Sequence, residues 1–162
     1  MKVLGIDPGT ASCGYGIVVE SDGRLHAVCH GHWRTSPRER LDARLLAIFD
    51  GVRALIAEHA PDSVALEESY VGADARIALS IGQARGAILV AAAGTGRGCV
   101  EYAPARIKQS VTGYGQADKA QVQRMVTTIL HMDEPPRSTH AADALAVAIC
   151  HALCPPLLRA VS

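Results

Sequence analysis

Residues 2–33, KVLGIDPGTASCGYGIVVESDGRLHAVCHGHW, hold three strand-forming runs joined by turn chemistry. The first, Lys2 to Asp7, is a short apolar run closed by an acid. The second, Gly14 to Glu20, is β-branched, with Gly14 and Gly16 marking close approach of another backbone. Ser21-Asp22-Gly23 is a hairpin signal and residues 25–33 alternate behind it, so the opening predicts a three-stranded antiparallel meander. Two further strand signals follow, Ser63 to Glu67, again apolar and again ending in an acid, and Cys99 to Tyr102. A helical pattern precedes each. Over residues 38–59, Leu41, Leu45, Ile48, Val52, Leu55 and Ile56 recur at helical spacing with charges on the other face and Pro61 beyond the end. An Ala-rich helix from Ala75 to Ala93 is stopped by Gly94 and Gly96.

The remainder reads as a short turn near Arg106 to Val111, a helix from about Ala117 to Leu130 and a last helix from about His140 to Leu153, before Pro155-Pro156. The order β-β-β-α-β-α-β-α-α predicts an α/β fold with a five-stranded mixed sheet and helices on both faces. The first three strands should be antiparallel. The last two arrive by helical crossovers and should run parallel to the first.

With 162 residues and 49% apolar content, the chain suits one substantial core, expected over residues 1–154 with a disordered tail at 155–162. No run of about 18 uninterrupted apolar residues occurs and the start lacks a signal-peptide layout, so a soluble cytoplasmic protein without a membrane partner is expected. Five cysteines, an odd number without CxxC spacing, argue against a disulfide framework or a zinc ribbon and read as reduced packing residues. His26, His30 and His32 would share one side of a strand; with no fourth zinc ligand nearby, a solvated strand face is the better reading.

Net charge is zero, so any nucleic-acid footprint must come from local charge separation. Between Asp62 and Arg76 stand Asp62, Glu67, Glu68 and Asp74 against one arginine. From Arg97 to Arg124, five bases face only Glu101 and Asp118. Such an arrangement suits a metal nuclease, with carboxylates for cations and a basic strip for phosphates.

Two of the parallel strands end in acids at one edge, Asp7 and Glu67. A carboxylate at the mouth of a buried strand is costly unless hydrogen-bonded, paired or metal-bound, and ligands of open α/β sheets gather at the carboxyl ends of strands. His140 and Asp143, three apart at the start of the last helix, share a face and are the natural further members. Oxygen ligands with one imidazole suit Mg²⁺ or Mn²⁺, the imidazole favouring manganese. Two ions roughly 3.5–4 Å apart could activate a water and stabilise the leaving oxygen of a phosphodiester. The alternative makes Asp143 a helix-dipole partner and His140 a surface residue. Glu68 would point away from Glu67 if the strand continued, and reads as a surface or supporting group.

Segments spread over nearly the whole chain resemble the RuvC family of crossover (Holliday) junction endodeoxyribonucleases, of the ribonuclease-H-like superfamily. They are Leu4-Gly5-Ile6-Asp7-Pro8-Gly9-Thr10, Ala65-Leu66-Glu67 with Tyr70, Gly82-Gln83-Ala84-Arg85-Gly86, Ile107-Lys108-Gln109 leading through Gly113 and Gly115 to Lys119, and His140-Ala141-Ala142-Asp143-Ala144-Leu145-Ala146. The resemblance implies a catalytic, metal-binding tetrad of Asp7, Glu67, His140 and Asp143, in the branch with His as third member, holding two divalent ions. It implies Lys108 and Lys119 as phosphate-binding groups near the cut; the chain's three lysines include both positions. Tyr70 matches an aromatic that stacks on an unpaired junction base, and Arg76, Arg85 and Tyr114 are further candidate DNA contacts. A homodimer making symmetric nicks in four-way junction DNA, with RuvA and RuvB as partners, completes what the resemblance implies.

Three other readings compete. Gly-Ile-Asp-Pro-Gly-Thr also resembles the first phosphate motif of actin-like ATPases and sugar kinases, but those enzymes close ATP between two such domains. A junction-binding protein without catalysis would not need all four site positions filled. A relative acting on RNA or RNA/DNA hybrids is disfavoured only by the Tyr70 and Tyr114 loops.

Overall fold

The computed structural model of the protein describes residues 1–68 and 75–154. Its elements are β1 (Lys2–Asp7), β2 (Ser12–Ser21), β3 (Arg24–Arg34), α1 (Leu41–His59), β4 (Ser63–Glu67), α2 (Ala75–Ala93), β5 (Cys99–Tyr102), α3 (Pro104–Thr112), α4 (Lys119–Ile129) and α5 (Thr139–Leu153). The five strands lie in the order β3-β2-β1-β4-β5, the first pairings antiparallel and the β1–β4 and β4–β5 pairings parallel. This is the mixed sheet the sequence predicts. The strand carrying Asp7 is central. The tail expected to be disordered, residues 155–162, lies outside the described residues.

Alternation along the strands divides the core. On one face Val3, Val18, Ala65 and Tyr102 meet α3, α4 and α5. On the other, Leu4, Ile6, Ile17, Val64 and Leu66 meet α1 and α2 through Ile48, Val52, Ile56, Ala84 and Ile88. The first of these faces is very close-packed. A Cβ on Gly5 would lie 2.2 Å from the Ala144 carbonyl oxygen, and one on Gly14 2.0 Å from that of His140. Backbone therefore sits on backbone, which only glycine on the strands and small residues on the helix permit.

Several boundaries differ from expectation. α1 starts at Leu41 rather than residue 38, because residues 37–39 form a turn in which the Glu39 amide donates to the Ser36 carbonyl (3.0 Å). Leu41, expected in the apolar stripe, is therefore exposed at the helix start. The turn expected near Arg106 is a nine-residue helix, opened by Pro104 and closed by Gly113 at φ 77. α4 is fixed by a capping box: the Gln121 amide donates to Asp118 Oδ1 (2.7 Å) and the Asp118 amide to Gln121 Oε1 (2.9 Å).

In β3 the register shifts: Ile17 pairs with Cys29 but Val18 with Ala27, leaving Val28 as a bulge. The bulge breaks the alternation that would align three histidines. His26 stands beside His131, ring centroids 5.9 Å apart, whereas His30 and His32 line a cavity near the start of α5. None of the five cysteines is in a disulfide.

Candidate active site at the carboxyl ends of the central strands

β1 and β4 are parallel neighbours with Ile6 beside Leu66, so Asp7 and Glu67 leave adjacent strand ends at one level. Asp7 pairs across β2 with Gly14, and the missing side chain there lets the first turn of α5 settle onto the sheet. That places His140 Nδ1 2.7 Å from Asp7 Oδ2. One helical step on, Asp143 Oδ2 accepts from Lys119 Nζ at 3.3 Å, Lys119 being the first residue of α4. These four groups, with Lys108 of α3, line one open cavity of about 710 Å³.

Charge is concentrated there. Burial first, then the neighbouring Asp7 and Asp143 carboxylates, push Glu67 up to about 7, against the opposing pull of Lys119 and Lys108. Asp7 is raised as well, chiefly by burial; the hydrogen bond with His140 opposes this and Asp143 adds to it. Carboxylates raised chiefly by burial, and further by one another, are a site that an added cation would relieve. The donors line the cavity without closing a three-ligand cluster among the described residues, since His140 is bonded to Asp7 and Lys119 to Asp143.

The other residues singled out in the sequence fall in different places. Arg76 lines the cavity wall. Arg85 does not: its Nη2 donates to both Glu101 carboxylate oxygens at 2.8 Å, tying α2 to β5. A DNA contact through Arg85 thus has no support in this geometry, because the guanidinium is already engaged in a part-buried ion pair. Tyr114 is exposed between α3 and α4, its hydroxyl 3.3 Å from Gln116 Oε1, and is not among the residues lining the cavity. Tyr70 lies outside the described residues.

Three further residues, none given a site role from the sequence, line the cavity. β4 ends at Glu67; the Glu68 amide donates to the Tyr102 carbonyl (2.9 Å), and Glu68 lines the cavity instead of turning away. Thr10 and Ser80 share a hydroxyl–hydroxyl hydrogen bond that ties the β1–β2 loop to α2 along the cavity wall. Thr10 stands in the Asp-Pro-Gly-Thr motif and was legible in principle; nothing in the sequence marks Ser80.

Fold and cavity together define a ribonuclease-H-like domain with a carboxylate site at the sheet edge. Residues 3–151 match the family model described as crossover junction endodeoxyribonuclease RuvC. The crossover junction endodeoxyribonuclease RuvC of Desulfitobacterium hafniense is 46% identical over 152 residues, 94% of this chain and 92% of that protein. The structure of Thermus thermophilus RuvC aligns with a TM-score of 0.87 at 38% identity, covering 94% of this chain and 93% of that one. T. thermophilus RuvC in complex with a Holliday junction substrate aligns at 0.86 and 35% identity, over the same shares of the two chains. The chain belongs to the RuvC family.

Proposed function

We propose that the protein is a Holliday-junction resolvase, a cytoplasmic, divalent-metal-dependent endonuclease that hydrolyses phosphodiester bonds of four-way DNA junctions in recombination and repair. The observation that carries this is the gathering of Asp7, Glu67, His140 and Asp143, from three separate stretches of sequence, around one cavity that also holds Lys108 and Lys119. The family supports the substrate class, the structure of T. thermophilus RuvC being known in complex with a Holliday junction substrate.

The donor set fits Mg²⁺ or Mn²⁺, two per site, with Asp7, Glu67, Asp143 and His140 as the residues that would hold them. When bound, the ions would supply an activated water and stabilisation of the leaving oxygen. The chain's own groups do the rest. The hydrogen bond between His140 Nδ1 and Asp7 Oδ2 orients the imidazole, and Nε2 is the ring nitrogen that would be left for a metal. The Lys108 and Lys119 ammonium groups attract phosphate oxygens and offset the charge that develops on them. Arg76, on the same wall, extends this basic rim. Tyr70 and Tyr114 remain DNA contacts by family resemblance, and RuvA and RuvB are partners on the same ground.

A homodimer matches a two-fold substrate. Along α2, Ala75, Leu79, Gly82, Gly86, Val90 and Ala93 are all exposed at spacings of three and four, a continuous small and apolar stripe. A Cβ at Gly82 or Gly86 would meet nothing within 4 Å. This stripe is the face we assign to the second copy, because close helix approach there covers apolar surface that is otherwise wet.

The test is a panel of four-way junctions, nicked duplexes and RNA/DNA hybrids incubated with Mg²⁺ or Mn²⁺. Paired, symmetrically placed nicks confined to the four-way junction are expected. Equal cleavage of hybrids or linear duplexes would overturn the assignment.

A further inference from the structure

A second cavity, of about 670 Å³, opens on the other flank of the start of α5 and is lined by His30, His32, Glu134, Arg137, Ser138 and Thr139. The sheet register fixes its relation to the first. Asp7 pairs with Gly14, and Gly14 with His32, so the three lie in one row across β1, β2 and β3. Two strand spacings put Asp7 and His32 about 10 Å apart. α5 enters the sheet over Gly14, between them: His140 turns toward Asp7, while Ser138 and Thr139 form part of the second cavity's wall.

We propose that this second cavity binds a backbone phosphate of the junction arm next to the cut. The inference rests on the resolvase reading and adds a substrate-binding surface to it. Its chemistry is that of a phosphate subsite: one guanidinium, two imidazoles and two hydroxyls against a single carboxylate. Arg137 is exposed and takes part in no ion pair among the described residues, so its fork is available. The segment that carries it is anchored, Gln123 Nε2 of α4 donating to the Pro136 carbonyl at 3.0 Å. Scale argues the same way. A B-form major groove alone is about 12 Å wide, so a duplex arm that runs from Asp7 toward β3 covers a surface about 10 Å away. Glu134 is the one element opposed to an anion, which gives the proposal a sign test.

Affinity for a labelled four-way junction is measured over a salt series in an Asp7→Asn background, which prevents turnover. Arg137→Gln should weaken binding about fivefold and flatten the log–log salt dependence by about 0.9, the release of one phosphate contact. Glu134→Gln should tighten it by about twofold. Arg53→Gln, which removes the same charge from the exposed side of α1, should change neither. Unchanged affinity in Arg137→Gln, an equal loss in Arg53→Gln, or Glu134→Gln shifting affinity in the same direction as Arg137→Gln would each overturn the subsite. Failure of the unsubstituted protein to cut junctions would count against the resolvase reading alone, since the binding comparison decides the subsite without cleavage.

Discussion

The two faces of the sheet are built on different principles. Against β1 and β2, α5 lies so close that Gly5, Gly14 and Gly16 have no room for a methyl group, and Ala141, Ala144, Ala146 and Ala148 face a buried environment. On the opposite face, α1 and α2 cover the sheet with larger aliphatic side chains, and α2 leaves Leu79 and Val90 more than 60% exposed. The close-packed face carries the side of the site that demands accuracy, His140 and Asp143, on a helix whose height above the sheet cannot vary. The looser face keeps apolar surface in reserve. On the proposed reading, placement of the reacting groups and recruitment of a second copy are separated by the sheet itself.

The largest effect should come from disturbing the close-packed face. Gly5→Ala and Gly14→Ala each drive a Cβ into helix backbone, which cannot yield as a flexible side chain would, and should destabilise the fold by about 3 kcal/mol or more in urea unfolding. Any Gly14→Ala protein that folds should also cleave junctions roughly a hundredfold more slowly, because the clash is with the residue that reaches Asp7. Normal stability in both variants would show that the seam is not rigid.

Next in size is a pH effect within the site. Glu67 goes from an ordinary value of 4.5 to about 7 in the fold, so the folded state binds this proton more tightly than the unfolded chain. Its contribution to stability is therefore full below about pH 4.5 and is lost as pH rises through about 7. The loss is up to about 3 kcal/mol. Metal-free protein should lose stability over this interval relative to Glu67→Gln, and added Mg²⁺ should restore it. Identical pH profiles for the two proteins would show that burial and the neighbouring carboxylates do not raise Glu67.

The smallest effect on the monomer belongs to the open face. A Cβ at Gly86 would meet nothing within 4 Å, so Gly86→Glu should alter unfolding by less than about 1 kcal/mol. It should nonetheless give a monomer by sedimentation and abolish paired cutting. A dimer that survives this substitution would place the interface elsewhere.

How much of this was legible in the sequence follows from which forces act locally. The strand ends at Asp7 and Glu67 were readable because an apolar run closed by an acid is a local pattern, and the β1–β4 adjacency follows from crossover rules. The nearness of His140 to Asp7 rests on Gly14, whose role depends on a helix more than a hundred residues away; the sequence shows only a glycine in a strand. Arg85, within the Gly82–Gly86 family segment, stood as a candidate DNA contact, and only the fold reveals that Glu101 engages it. The histidine row on β3 is broken because period-two reasoning cannot see a bulge. Glu68, read as a surface or supporting group, is exposed and also lines the cavity, because β4 stops at Glu67.

The central claim is that the carboxylates around the first cavity perform the cleavage. Asp7→Asn changes one oxygen to an amide nitrogen while keeping the shape beside His140. Assayed on a synthetic four-way junction with Mg²⁺ or Mn²⁺, it should bind like the unsubstituted protein while cutting falls at least about a thousandfold. Cutting that continues undiminished in a pure preparation of this variant would contradict the claim.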